Sequence, residues 1–150
     1  MALAQDLEIR RARPEELQAC ADLYLKVLVD TFTWLPPERH DRGEFLRSTR
    51  DEEIYVALEA GRIVGLAGFY RPMNFLHSLY VEERGRGVGK ALLDHVCAVA
   101  RAPVSLKVQA ANRRAQAFYA REGFVATERG RDPGSDVVWI RLVRGRPPES

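Results

Sequence analysis

The chain has 150 residues, 46% of them hydrophobic and 29% charged, with a net charge of +2. That suits one globular domain with a true core and argues against a disordered chain; so small a charge makes no compositional case for a nucleic-acid binder. No apolar run approaches the ~20 residues that span a bilayer, and the opening stretch MALAQDLEIRR lacks a signal-peptide core, so a cytoplasmic protein without membrane or nucleic-acid partners is expected.

In chain order, LEIRRA (Leu7–Ala12) alternates as a short strand. RPEELQACADLYLKVLVDTF then reads as a helix: Pro14 suits a first turn, Glu15 and Glu16 favour its positive end, and Leu17, Ala21, Tyr24, Leu28 and Phe32 recur at helical spacing. The prolines of WLPPERH interrupt it, and a second, weaker helix is expected over Asp41–Ser48. EIYVALEA (Glu53–Ala60) and IVGLAGFY (Ile63–Tyr70) form a hairpin turning at Gly61-Arg62, and Asn74–Val81 makes a third strand. A helix runs from the glycine-rich segment to about Arg101, with Val88, Leu92, Val96 and Val99 on one face.

Pro103 ends that helix, and VSLKVQA is a strand. Asn112 caps the helix RRAQAFYARE, Gly123 stops it, and FVATER and DVVWIRLV are two closing strands. The order β-α-α-β-β-β-α-β-α-β-β predicts an α/β (α+β) fold, a mixed sheet of about seven strands flanked by four helices. Residues 1–145 are read as one domain, and 146–150 as a frayed tail. Cys20 and Cys97 fall in helical patterns without CxxC spacing and read as small buried residues. His40, His77 and His95 show no metal-ligand spacing, and His95 reads as a surface residue.

The segment EERGRGVGKALL (Glu82–Leu93) carries chemistry. A helix start leaves N–H groups unpaired and carries partial positive charge. Gly85, Gly87 and Gly89 let backbone approach an anion, and Arg84, Arg86 and Lys90 add charge. A Walker loop is not met, because Ala91 stands where the Mg²⁺ hydroxyl is needed. A dinucleotide fingerprint is not met either: the spacing is GxGxG, and the following strand ends without an acid.

LHSLYVEERGRGVGKALL followed by LKVQAANRRAQAFYAREGF resembles the GCN5-related N-acetyltransferases (GNAT). The family pattern [QR]-x-x-G-x-[GA] is met by Arg84, Gly87 and Gly89, and its second signature by Asn112, Phe118, Tyr119, Gly123 and Phe124. The resemblance implies acetyl-CoA as acyl donor, held at its pyrophosphate by loop amides from Arg84 through Gly85, Arg86, Gly87, Val88 and Gly89 to Lys90. It implies that the strand before the loop splays from its neighbour, so that Leu79, Tyr80 and Val81 pair with the pantetheine arm, the amide of Leu79 or Tyr80 facing the thioester oxygen. The family usually has about two more residues between this strand and the first glycine; either the loop is short here or the strand register slips by two.

Under the same resemblance Asn112 bonds the pantetheine arm while capping its helix, and Tyr119 is the general acid that returns a proton to the thiolate. Phe118, beside it at the cofactor site, is expected to pack. His77 is the candidate base. An alkylammonium is only about 0.04% neutral at pH 7, a deficit of roughly 4–5 kcal/mol, and an imidazole titrates where it can take that proton. Glu82 and Glu83 are the alternatives. The acceptor, a small-molecule or peptide amine, is expected against Phe32, Trp34 and His40, with Tyr70 adding to the pocket. Neither cysteine sits beside a base, so direct transfer in a ternary complex is expected. A non-catalytic acyl-CoA-binding module and a nucleotide binder of another class are the competing readings; a homodimer is left open.

Overall fold

The computed structural model describes residues 7–31 and 42–144. Along the chain run β1 (Leu7–Arg11), α1 (Leu17–Thr31), α2 (Arg42–Ser48), β2 (Glu53–Glu59), β3 (Arg62–Tyr70), β4 (Phe75–Val81), α3 (Val88–Ala100), β5 (Val104–Gln109), α4 (Arg113–Arg121), β6 (Phe124–Arg131) and β7 (Val138–Arg144). The seven strands make one sheet in the order β1-β2-β3-β4-β5-β7-β6. The β4–β5 pair is parallel, bridged by α3, and the other pairs are antiparallel. This is the expected mixed sheet, and the alternating burial of its strands puts one set of side chains toward each helical layer.

Two apolar clusters lie on opposite faces. Val64, Phe69, Leu76, Val88, Leu92, Val96, Leu106 and Tyr119 belong to the larger one, where α3 and α4 pack. Cys20, Ala21, Leu23, Phe45, Ile54, Val56, Leu58 and Leu66 form the smaller one beneath α1 and α2. The stripe Val88, Leu92, Leu93, Val96, Ala100 is the buried side of α3.

Several boundaries differ from expectation for local reasons. Glu16 accepts a bond from the Arg13 amide at 2.8 Å and pairs with Arg10 at 2.8 Å. The chain therefore makes a 3₁₀ turn over Pro14–Glu16 before α1 starts at Leu17. The β2–β3 turn falls on Ala60-Gly61, both at positive φ (52° and 78°), one residue before the expected place. Positive φ at both central residues matches the twist of a tight hairpin. β6 extends past Arg129 to Arg131, because β7 pairs with it as far as Val138. His95 is half-buried, its ring 5.1 Å from that of Tyr55, and is not the expected surface residue.

Candidate active site

The site begins where two neighbouring strands part. β4 and β5 share a single register pair, Phe75 with Ser105, and an Asn74 carbonyl accepts from the Ser105 amide at 3.0 Å. Beyond it the edge of β4 toward β5 is open, while its other edge stays paired with β3 through Val81 opposite Gly65. A cavity of 520 Å³ fills the splay. It is lined along β4 from His77 to Glu82, by Lys107, Val108 and Gln109 of β5, by Asn112, Ala115 and Tyr119 at α4, by Arg84 of the loop and by Val27 of α1.

Which β4 amides face the splay follows from the ladder. The Glu82 amide donates to the Val64 carbonyl across β3 at 2.9 Å. Backbone groups alternate sides along a strand, so Tyr80 also turns toward β3, and Leu79 and Val81 turn N–H and C=O into the splay. Of the two expected amides, Leu79 is thus the one placed there. The Tyr80 side chain goes to the α1 face, ring 5.4 Å from Tyr24, where burial pushes its phenol up to about 12.

β4 continues to Val81 and α3 begins at Val88, so the loop is short and the strand does not slip. Gly85 and Gly87 take φ of 81° and 79°, the left-handed region that favours glycine. No side chain caps α3; the Gly87 carbonyl accepts the Ala91 amide at 3.0 Å, and the preceding helical amides have no intrahelical partner. A Cβ on Gly89 would meet Phe118 at an ordinary 3.6 Å, so packing inside the chain does not demand glycine there. Bare backbone around unpaired donors fits an anion arriving from outside the chain.

The loop's three cations divide. Arg84 lines the cavity. Arg86 turns away from it, bonded to Glu59 at 3.0 Å and to Glu83 at 3.5 Å. Lys90 is tied to Glu122 at 2.9 Å and Asp94 at 3.2 Å. In this structure the latter two side chains hold the loop and α3 to the rest of the protein through these ion pairs.

Asn112 does two things. Its Oδ1 accepts the Ala115 amide at 3.1 Å, capping α4, and the residue also lines the cavity. Phe118 packs edge-on against Tyr119 with ring centres 5.0 Å apart, and rests against the core rather than lining the cavity. Tyr119 is 9% exposed yet reaches the cavity. Burial, followed by the nearby Tyr80 phenol, holds its proton on well above the usual tyrosine range. It is therefore a donor at every working pH.

His77 is the extra residue of a β-bulge: Gly68 pairs with Ser78 and Phe69 with Leu76, leaving His77 between them. A bulge re-aims a side chain, and His77 lines both the main cavity and a smaller one of 180 Å³ bounded by Tyr24, Phe45, Ser48, Thr49, Ser78 and Tyr80. Its Nδ1 lies 2.6 Å from Oε2 of Glu52. That hydrogen bond raises the imidazole above its usual 6.5 against the opposing effect of burial. Glu82 lines the cavity, but its carboxyl is held below the usual range, chiefly by the bond to Arg62 at 2.8 Å. Glu83 is exposed.

Phe32, Trp34 and His40 lie outside the described residues. Tyr70 pairs with Phe75 at the closed end of the splay and lines neither of these two cavities. Two residues escaped the sequence reading. Lys107 lines the cavity with its ammonium 4.3 Å over the Trp139 ring. Glu52 was readable in principle: it opens the period-two row continued by Ile54, Val56 and Leu58, all buried against α1, so an acid there points inward.

A family model described as "Acetyltransferase (GNAT) family" matches residues 17–124. No curated protein matches the chain. Among solved structures, apo YjaB from Escherichia coli is 26% identical with a TM-score of 0.70, covering 91% of this chain and 96% of that one. YncA of Salmonella typhimurium, solved with acetyl-CoA, is 18% identical with a TM-score of 0.69 and 96% coverage of both chains. The PaiA N-acetyltransferase of Thermoplasma acidophilum, in complex with coenzyme A, is 18% identical with a TM-score of 0.72, covering 93% of this chain and 99% of that one. With the family pattern lying on the uncapped start of α3 and at the mouth of the β4–β5 splay, the chain belongs to the GNAT acetyltransferase family.

Proposed function

We propose that the protein is an acetyl-CoA-dependent N-acetyltransferase that moves an acetyl group directly to a primary amine in a ternary complex. One observation carries this reading: a single cavity joins the open backbone of Leu79 and Val81, the Tyr119 phenol, the His77 imidazole and Arg84, which opens the glycine loop leading to the uncapped start of α3. Acetyl-CoA supplies an acyl group activated as a thioester. Loop amides from Gly85 to Lys90 and the Arg84 guanidinium would hold its diphosphate. Leu79 and Val81 would pair with the pantetheine arm, helped by Asn112, with the Leu79 amide donating to the thioester oxygen, where charge builds up in transfer.

His77 accepts a proton from the acceptor's ammonium, directly or through one water. Tyr119 donates to the departing sulfur; the burial that keeps its proton in place also makes it a weak acid, so it acts when negative charge reaches the sulfur. Cys20 is fully buried with its thiol pushed up to about 12, and neither cysteine lines the cavity. That supports direct transfer over a covalent acyl-enzyme.

The base must be neutral to work. Because Glu52 raises the His77 pKa, activity should climb as pH rises through a value above 6.5. The deciding experiment is an acetylation screen over amines, amino acids, aminoglycosides and peptide N-termini, reading released thiol. Release that depends on both acetyl-CoA and an amine supports the reading. Coenzyme A binding without turnover on any acceptor class would mark a binding module instead.

A further inference from the structure

Glu52 stands just before β2, and its side chain is only 7% exposed. One carboxylate oxygen meets His77; the other, Oε1, is buried without a hydrogen-bond partner among the described residues, as is Oγ of Ser78. A carboxylate removed from water is costly unless it is paired and fully bonded. Apolar packing does not call for it, since Ile54, Val56 and Leu58 already fill the row it opens.

Three further features converge on the same contact. A Cβ on Gly68 would stand 2.5 Å from both Oε1 of Glu52 and Oγ of Ser78, so the bare residue admits the carboxylate. The bulge in β4 inserts His77 and directs it toward that carboxylate. Ser78, next to it, adds a small hydroxyl at the same spot. An acid, a glycine, an inserted histidine and a serine from three strand regions thus meet at one point beside the cavity.

We propose that Glu52 is the positioning residue for His77. Its carboxylate accepts the Nδ1–H of the neutral imidazole, which leaves Nε2 as the basic nitrogen and fixes the ring at the cavity wall. When the acceptor's N–H bond breaks, the proton moves to Nε2 and its electron pair stays on the acceptor nitrogen. His77 becomes an imidazolium beside an ionised Glu52, which stays unprotonated throughout, and the proton then leaves to solvent. Among the described residues, the other titratable groups around His77 are the phenols of Tyr24, Tyr80 and Tyr119 and, along the larger cavity, Glu82, Arg84 and Lys107. Burial holds the protons on the Tyr80 and Tyr119 phenols, and the charge in direct contact with the ring is that of Glu52.

The inference rests on His77 acting as base, and its test separates the two. The full chain, labelled with ¹⁵N-histidine, is titrated by NMR as wild type, Glu52→Gln and Glu52→Ala, with the His77 signal assigned by its loss in His77→Ala. The wild type should titrate above 6.5 with its neutral proton on Nδ1. Glu52→Gln, nearly isosteric, should keep that tautomer through its amide oxygen while the pKa falls. Glu52→Ala should lose both, with kcat about tenfold lower. The acidic limb of the kcat/KM profile should move to lower pH in Glu52→Gln, and coenzyme A affinity by calorimetry should stay within about twofold in both variants. An unmoved pKa in the folded Gln variant, or an unmoved tautomer in the folded Ala variant, overturns the proposal alone. A moved titration with an unaltered pH–rate profile sinks the base reading of His77 and, with it, the catalytic part of Glu52.

Discussion

The two faces of the sheet are made of different materials. On the face where α3 packs, the site offers backbone: the amides at the start of the helix, two glycines at positive φ, and the open edge of Leu79 and Val81. On the face beneath α1 and α2 it offers side chains: His77, its buried carboxylate partner, and the rings of Tyr24 and Tyr80. Backbone recognition is local, since neighbouring residues supply it and glycine keeps it accessible. Side-chain chemistry is assembled from a distance; Glu52 and His77 meet only because β2, β3 and β4 are paired in register. Substitutions in the backbone grip should therefore act on binding, and substitutions of the proton-handling side chains, His77 on one face and Tyr119 on the other, on turnover.

Breaking that comparison begins with the largest effect. Tyr119→Phe should lower kcat by about 10³-fold while the coenzyme A dissociation constant stays put, as single-turnover kinetics and calorimetry would show. Next, His77→Ala should cost about 10²-fold in kcat at pH 7, the loss shrinking as pH nears the amine's own pKa. A variant with the wild-type pH–rate curve removes it as base. Gly87→Glu should raise the coenzyme A dissociation constant by about 50-fold, roughly 2.3 kcal/mol, because it puts bulk and negative charge beside phosphate. An unchanged constant would show that the backbone grip lies elsewhere.

Within the loop, Arg84→Ala should weaken coenzyme A binding about tenfold, whereas Arg86→Ala, whose guanidinium is committed to Glu59, should stay within about threefold. Equal losses at both positions would erase the distinction between gripping and bracing cations. The smallest effect sharpens the contrast between two adjacent acids. Glu53 is held down to about 2, mainly by its bond to Arg71. A depressed carboxyl stabilises above its ordinary value near 4.5, and that contribution is lost as pH falls toward 2. Glu53→Gln should therefore lower Tm at neutral pH by a margin that closes near pH 2, with little effect on kcat, the reverse of what is expected of Glu52.

How far these features could be read from the sequence follows the same division. The order of elements along the chain and the helix start at Val88 were visible, because each is announced by spacing, glycine or a cap within a few residues, and the resemblance to the family pointed to Arg84, Asn112, Tyr119 and His77, which line the cavity. The fates of Arg86 and Lys90 were not, because their partners Glu59 and Glu122 are 27 and 32 positions away. Leu79 could be told from Tyr80 only once Glu82 was seen bonding to Val64, which fixes the parity of the ladder. The bulge that turns His77 is a one-residue mismatch between two strands, and neither strand reveals it alone.

The lone register pair between β4 and β5 has a thermodynamic corollary. Seven strands are nominally continuous, yet midway the sheet has a seam fastened at one end only. A pantetheine arm laid along Leu79 and Val81 would act as the missing thread, so the donor would serve as a structural stitch as well as a reagent. By mass action, donor at 100 times its dissociation constant would add about 2.7 kcal/mol to the folded state. The durability of the protein would then track thioester supply, and amide exchange along β5 would slow on saturation more than exchange in the β1–β2 pair at the far edge.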